Sequence, residues 1–178
     1  MTAGEPRGLG SRVNGLLVAP GATGAESLLA YTAALTGTLV AVWQAGGLPA
    51  LAVVVIAVLA FDLFGGATVN ATAAAKRRFH GPGRTRRHHL AFVALHGQPF
   101  LLALTVPGVG WGGAALVYGL ALAGAVAALA VPADLRRPVA YAATVLAIAV
   151  SCAAMPVALA WFAPVLFVKL LLAHLLPE

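Results

Sequence analysis

Long apolar runs almost free of charge constrain this chain more than any other feature. From Glu26 onward, stretches of Ala, Leu, Val and Gly carry only isolated polar side chains. Helices of that composition leave too little polar surface to face water, so they predict membrane-spanning segments. Of 178 residues, 61% are hydrophobic and 9% charged, against about 25% charged in an ordinary soluble domain. The fold class that follows is all-α: a polytopic integral membrane protein of the cell membrane.

The formal charge of +6 does not point to nucleic acid, because the basic residues sit in loops between apolar runs. That placement is the pattern of cytoplasmic membrane loops. Cys152 is the single cysteine, so no intrachain disulfide forms.

Residues 1–24, rich in Gly and with Pro6 and Pro20, read as a flexible cytoplasmic tail with a short surface segment around residues 13–18. Residues 25–178 read as the transmembrane helical domain. A first span is expected over 27–43, as a retained anchor rather than a cleaved signal peptide, since more membrane-like sequence follows at once. A turn at 44–49 leads into a second span over 48–75. Its length is about 42 Å against a hydrocarbon layer of roughly 30 Å, so it must tilt or project. The basic loop 76–89 turns at Gly81-Pro82-Gly83. The third span, 90–106, contains Pro99 and should kink there. The fourth covers 111–131, and 132–138 reads as a polar loop. The stretch 139–176 is too long for one crossing and splits at Met155-Pro156 into spans five and six.

Six crossings put Arg7, Arg12, the basic residues of 76–87, Arg136 and Arg137 on one side, which places both termini in the cytoplasm. A five-span arrangement is the alternative. Six spans also bring Trp43, Trp111 and Trp161 to the outer interface, where indole rings prefer to sit.

Function is sought among the polar residues stranded in these spans. An ionised carboxylate at Asp62, midway along span two, costs about 2.5–3.5 kcal/mol unless paired or wet. Gly65, Gly66 and Asn70 fall near the same helical face. Lys169 reaches a similar depth in span six, and an Asp62–Lys169 pair would offset part of both desolvation costs. His174 lies near the cytosolic end of the same helix, about 140° around from Lys169 on α-helical geometry. Span three offers His96 beside Pro99, with Gln98 next to it and His89 one face-repeat earlier. Five histidines gather toward one membrane face, but none are paired four residues apart, so no metal, haem or other cofactor is assigned.

These residues define three expectations. In the first, the chain is a small membrane enzyme acting by acid–base chemistry on a lipid or isoprenoid-type substrate at the cytosolic leaflet. Asp62 and His96 are its acid and base, Lys169 binds or polarises, and Asn70 orients them and contributes with Gln98 to substrate binding. Lys76, Arg77, His80, His89 and His174 hold an anionic headgroup or phosphate-bearing ligand. Membrane lipids are the expected partners. In the second, the same groups serve a proton-coupled transporter or channel. In the third, the chain is a non-catalytic assembly partner. The Ala and Gly of span four favour close helix packing and a homo-oligomer.

Overall fold

A computed structural model of the chain describes residues 8–177. All regular structure among the described residues is helical. Where a flexible tail was expected, helix α1 spans Leu9–Leu17 and docks on the next helix, α2 (Gly24–Gln44). Asn14 of α1 donates to Ser27 Oγ at 3.0 Å and accepts from Tyr31 Oη–H at 3.2 Å. Arg7 lies outside the described residues.

A capping box starts α2. The Glu26 amide donates to Thr23 Oγ1 (3.1 Å), and the Glu26 carboxylate accepts from the Thr23 amide (2.7 Å). The buried stripe Ala30, Ala34, Gly37 and Ala41 recurs at alternating four- and three-residue steps. These small residues let α3 (Ala50–Ala71) approach closely. A Cβ at Gly37 would lie 2.2 Å from Phe64 Cγ, and one at Gly65 would lie 2.9 Å from Ala34 Cβ.

The second span does not continue to residue 75. Thr72, at ψ 150°, leaves the helix, and its hydroxyl accepts from the Ala75 amide (3.2 Å) to cap α4 (Ala73–Phe79). Glu26 also accepts from the Ala74 amide at 3.1 Å. One carboxylate thus serves the starts of both α2 and α4, where partial positive charge gathers.

The third span is broken rather than kinked at its proline. Helix α5 (Arg86–Ala94) stops five residues before Pro99, and α6 (Gln98–Thr105) begins just ahead of it. Proline lacks the amide that the Leu95 carbonyl would need, so the disruption falls on the preceding turn. The Gly97 amide takes that carbonyl instead (2.9 Å), and Tyr118 Oη–H donates to the Ala94 carbonyl (2.8 Å).

Helix α7 (Trp111–Ala130) is followed almost directly by α8 (Ala133–Ser151), so the expected loop 132–138 reduces to Val131 and Pro132. Pro132 occupies the N-cap and Asp134 the first turn, both natural there. After α8 the chain leaves regular helix until a 3₁₀ turn at Val157–Leu159, and the expected split at Met155-Pro156 falls in this interval. Helix α9 (Phe162–Phe167) then runs without interruption into a π-helix, Val168–His174. This last stretch is the centre of the bundle and packs against α3, α7 and α8. Phe162, Leu166, Phe167, Leu170 and Leu171 of it are all buried.

Four helical stretches among the described residues are long and apolar enough to cross a membrane: Gly24–Gln44, Ala50–Ala71, Trp111–Ala130 and Val157–His174. Their outer faces leave Leu28, Leu39, Leu51, Val54 and Val58 exposed, which hydrocarbon accommodates and water does not. By length and composition this is a membrane protein. The other two expected crossings differ for definite reasons. Residues 90–106 are divided between α5 and α6. Helix α8 carries Asp134, Arg136 and Arg137 in its opening turns.

The two ends of the bundle are chemically distinct. At one end, Pro156 approaches Gly108, and Trp43 and Trp161 line a common cleft. Trp43 is 80% exposed, whereas Trp161 turns inward onto Phe64 (ring centroids 5.3 Å). At the other end lie α4, the start of α5 and the C-terminus, with Lys76 and His80 reaching the last helical carbonyls.

Candidate functional site

Three elements meet at Asp62. Its Oδ2 accepts from Lys169 Nζ and from Gln98 Nε2, each at 2.6 Å. Lys169 Nζ also donates to the Asp62 carbonyl (3.2 Å). The pairing of Asp62 with Lys169 raised by their matching depth is therefore present, and Gln98 joins it because the break before α6 turns that side chain toward α3. Gly66 leaves room for the ammonium stem: a Cβ there would sit 2.6 Å from Lys169 Cε.

The pair is lopsided. The Lys169 side chain is 4% exposed and that of Asp62 is 49% exposed. Asp62 Oδ1 has no hydrogen-bond partner among the described residues, and Asp62 lines a cavity of about 230 Å³ between the end of α1, α2 and α3. Leu17, Val18, Val58, Phe61 and Val69 form most of its wall, and Asp62 is its charged member. Tyr31, the other polar side chain there, is committed to Asn14.

His96 does not join this group. Its Nδ1 lies 2.7 Å from the Phe92 carbonyl, and its ring packs on the Phe92 ring (4.6 Å). Asn70 is buried, makes no hydrogen bond to Asp62 and leaves its Nδ2 unpartnered. The shared face of Asp62 and Asn70 on a helical wheel thus does not become a shared hydrogen-bond network.

A second cluster forms at the basic end. His80, His89 and His174 come from the α4–α5 connection, α5 and the π-helix. His89 Nδ1 is 3.2 Å from His174 Nε2, and the His80 and His89 rings stack at 4.6 Å. Phe92 stacks on His174 at 3.7 Å and Phe79 meets it edge-on at 5.1 Å. The π-helix explains why Lys169 and His174 both point inward. Its wider i→i+5 turn brings residues five apart to within about 50° of one another, where α-helical geometry would splay them by about 140°.

Two residues expected to hold a headgroup are engaged otherwise. Lys76 donates to the Ala173 carbonyl (2.6 Å) and to that of Leu176, and His80 Nε2 lies 2.9 Å from the His174 carbonyl. They satisfy carbonyls at a helix C-terminus, where positive charge is favoured. Arg77, Arg84, Arg86 and Arg87 remain exposed.

Outside the spanning helices, burial pushes His89 down to about 4, helped by His80, Arg136, His88 and Arg84 nearby. Burial likewise lowers His80, partly offset by its bond to the His174 carbonyl. Both rings are therefore neutral at physiological pH. Among the described residues no group of three or more His, Cys, Asp or Glu has metal-binding geometry. The His80 nitrogen is spent on a carbonyl, and the surrounding arginines disfavour a cation.

The chain matches no family model, no curated protein and no solved structure.

The site chemistry therefore rests on geometry. Asp62 offers one saturated oxygen and one open oxygen, with a buried cation behind it. That arrangement suits a hydrogen-bond acceptor or a proton acceptor at an apolar wall. The residues that sequence reasoning missed are those of the wall, Leu17 and Val18 above all. The signal for them was local: Asn14 one turn before Leu17–Val18, with Ser27 and Tyr31 available as partners on a single face of the next helix.

Proposed function

We propose that this protein is a small enzyme of the cell membrane, acting by acid–base chemistry on a lipid- or isoprenoid-type molecule at the cytosolic leaflet. The proposal takes the chain as six crossings with both termini in the cytoplasm. One observation carries it: a carboxylate with one unpartnered oxygen lines an apolar cavity at mid-helix, where an ionisable group persists only with a purpose-built partner. The topology is supported by the gathering of Lys76, Arg77, Arg84 and Arg136 at the end opposite Trp43 and Trp111.

In this reading Asp62 accepts the proton or hydrogen bond and Lys169 balances the carboxylate charge. Gln98 fixes the carboxylate plane. His96, on the turn that leads into Gln98, becomes the second proton-transfer group when it exchanges the Phe92 carbonyl for a ligand. The exposed arginines of 76–89 hold anionic headgroups or a phosphate-bearing ligand at the membrane surface.

The test is recovery of bound lipid. Protein purified in detergent should carry a discrete lipid-type molecule detectable by mass spectrometry. Asp62→Asn, which keeps the shape of the side chain, should lower its recovery about tenfold, as loss of a charge-assisted bond implies. Equal recovery from both proteins would sink the proposal.

A second reading has an observation of its own. The helix break before Gln98, beside a half-buried ion pair, is the architecture carriers use at the membrane midplane. Asp62→Cys and His96→Cys, each in a Cys152→Ser background, separate the two. Labelling by impermeant reagent from the cytosolic face alone is expected for the enzyme. Labelling from both faces would establish the carrier.

A further inference from the structure

We infer that the cavity beside Asp62 takes the head of an uncharged, hydroxyl-bearing amphiphile, and that it discriminates against amines, acids and ethers of the same chain. This rests on the lipid reading above and names its substrate class.

The argument is one of charge and donor balance. Lys169 and Gln98 both donate to Oδ2, so Oδ1 is the acceptor left for a ligand. The Asp62–Lys169 pair sums to zero charge. A ligand ammonium would leave a net positive charge in hydrocarbon, and a ligand carboxylate or phosphate would meet the aspartate with like charge. A hydroxyl adds no charge and supplies the one group the site lacks, a hydrogen for Oδ1. The resulting O–H···O⁻ bond is charge-assisted and strong in an apolar setting. An ether or ester presents only acceptors and leaves Oδ1 bare.

Size and walls agree with this. The cavity holds about 230 Å³, below the roughly 300–1,000 Å³ of pockets that enclose a whole small molecule. It accepts a polar head and the first carbons of a chain. Exposed Val58, on the same helix as Asp62, marks where the remainder passes into the bilayer. Tyr31 does not compete with the ligand as a donor to Oδ1, since its own Oη–H is given to Asn14.

The experiment uses the full-length protein in phosphatidylcholine nanodiscs and four photoreactive probes of one chain length: an alcohol, its methyl ether, the amine and the acid. Cross-linked residues are read by mass spectrometry. The alcohol is expected to label Leu17, Val58 or Val69 about tenfold more than any other probe. Val58→Trp, which fills the cavity without touching the ion pair, should abolish that labelling while the protein still melts cooperatively. Equal labelling by alcohol and ether, or preference for the amine or the acid, would overturn the hydroxyl inference and leave the lipid reading standing. Cavity labelling by none of the four would bring both down.

Discussion

Asp62→Leu is expected to destabilise the protein by about 3–5 kcal/mol, and Lys169→Met by less, about 1–3 kcal/mol. The asymmetry follows from burial. Removing Asp62 strands an ammonium that is almost fully enclosed, with only the Asp62 position's backbone carbonyl left as partner. Removing Lys169 strands a carboxylate that is half open to a cavity and still bonded to Gln98. The double variant, Asp62→Leu with Lys169→Met, should return to within about 1 kcal/mol of the parent, because no unpaired charge remains. Unfolding in mixed micelles across this cycle measures all three. Strict additivity of the two single losses would mean that the pair is not coupled, and the site description would fall with it.

Acidification gives the second large effect. His89 titrates at about 4 in the folded protein against an ordinary value of 6.5. Between those values the unfolded chain binds a proton that the folded chain refuses, so stability is full above pH 6.5 and falls as the pH drops toward 4. Discounted for solvent screening at a group only partly shielded from water, a displacement of that size corresponds to roughly 1–3 kcal/mol. His80, also lowered, adds to the loss with the same sign. The local chemistry explains why the cluster resists charging: one N–H can lie between His89 Nδ1 and His174 Nε2, and a second proton would set two donors head to head. Unfolding free energy followed from pH 7 to 4 should show this slope, and His89→Gln should flatten it. A parent profile that is already flat would refute the assignment.

Some of the site was legible in the chain. Asp62 and Lys169 stand out because a charge inside an apolar run demands a partner, and each was the other's best match in depth. Gly66 was legible as a small residue near Asp62, although its role in seating the lysine stem was not. The turn at 44–49 was readable from its glycines, and Gly47 does adopt positive φ, at 88°.

Other features depended on contacts that no local pattern encodes. Pro99 announced a disruption, but the turn it disturbs lies on its N-terminal side, and the site of the break depends on which groups rescue the freed carbonyls. One of these is Tyr118, 24 residues away from Ala94. The histidines were readable as a group on one membrane face. Their division into His80, His89 and His174 on one side and His96 on the other was not, because Phe92 lies between them and offers its ring to His174 and its carbonyl to His96. The headgroup role expected of Lys76 and His80 met the same limit: carbonyls at the far end of the chain claim them first.

What the amino-acid sequence settled alone is the solvent. Hydrocarbon selects for composition, and uncharged runs of this length satisfy it whatever their neighbours are. It also named the side chains that such a solvent penalises. Which of those side chains meet was decided by tertiary structure. Asp62 and Lys169 are 107 residues apart, and their contact needs small residues at a helix crossing and a π-helical register in the last segment. An α-helical continuation of the same sequence would have carried His174 to a different face. What distinguishes the observed register is what the segment meets on other helices: Lys169 on Asp62 of α3 and His174 beside His89 of α5.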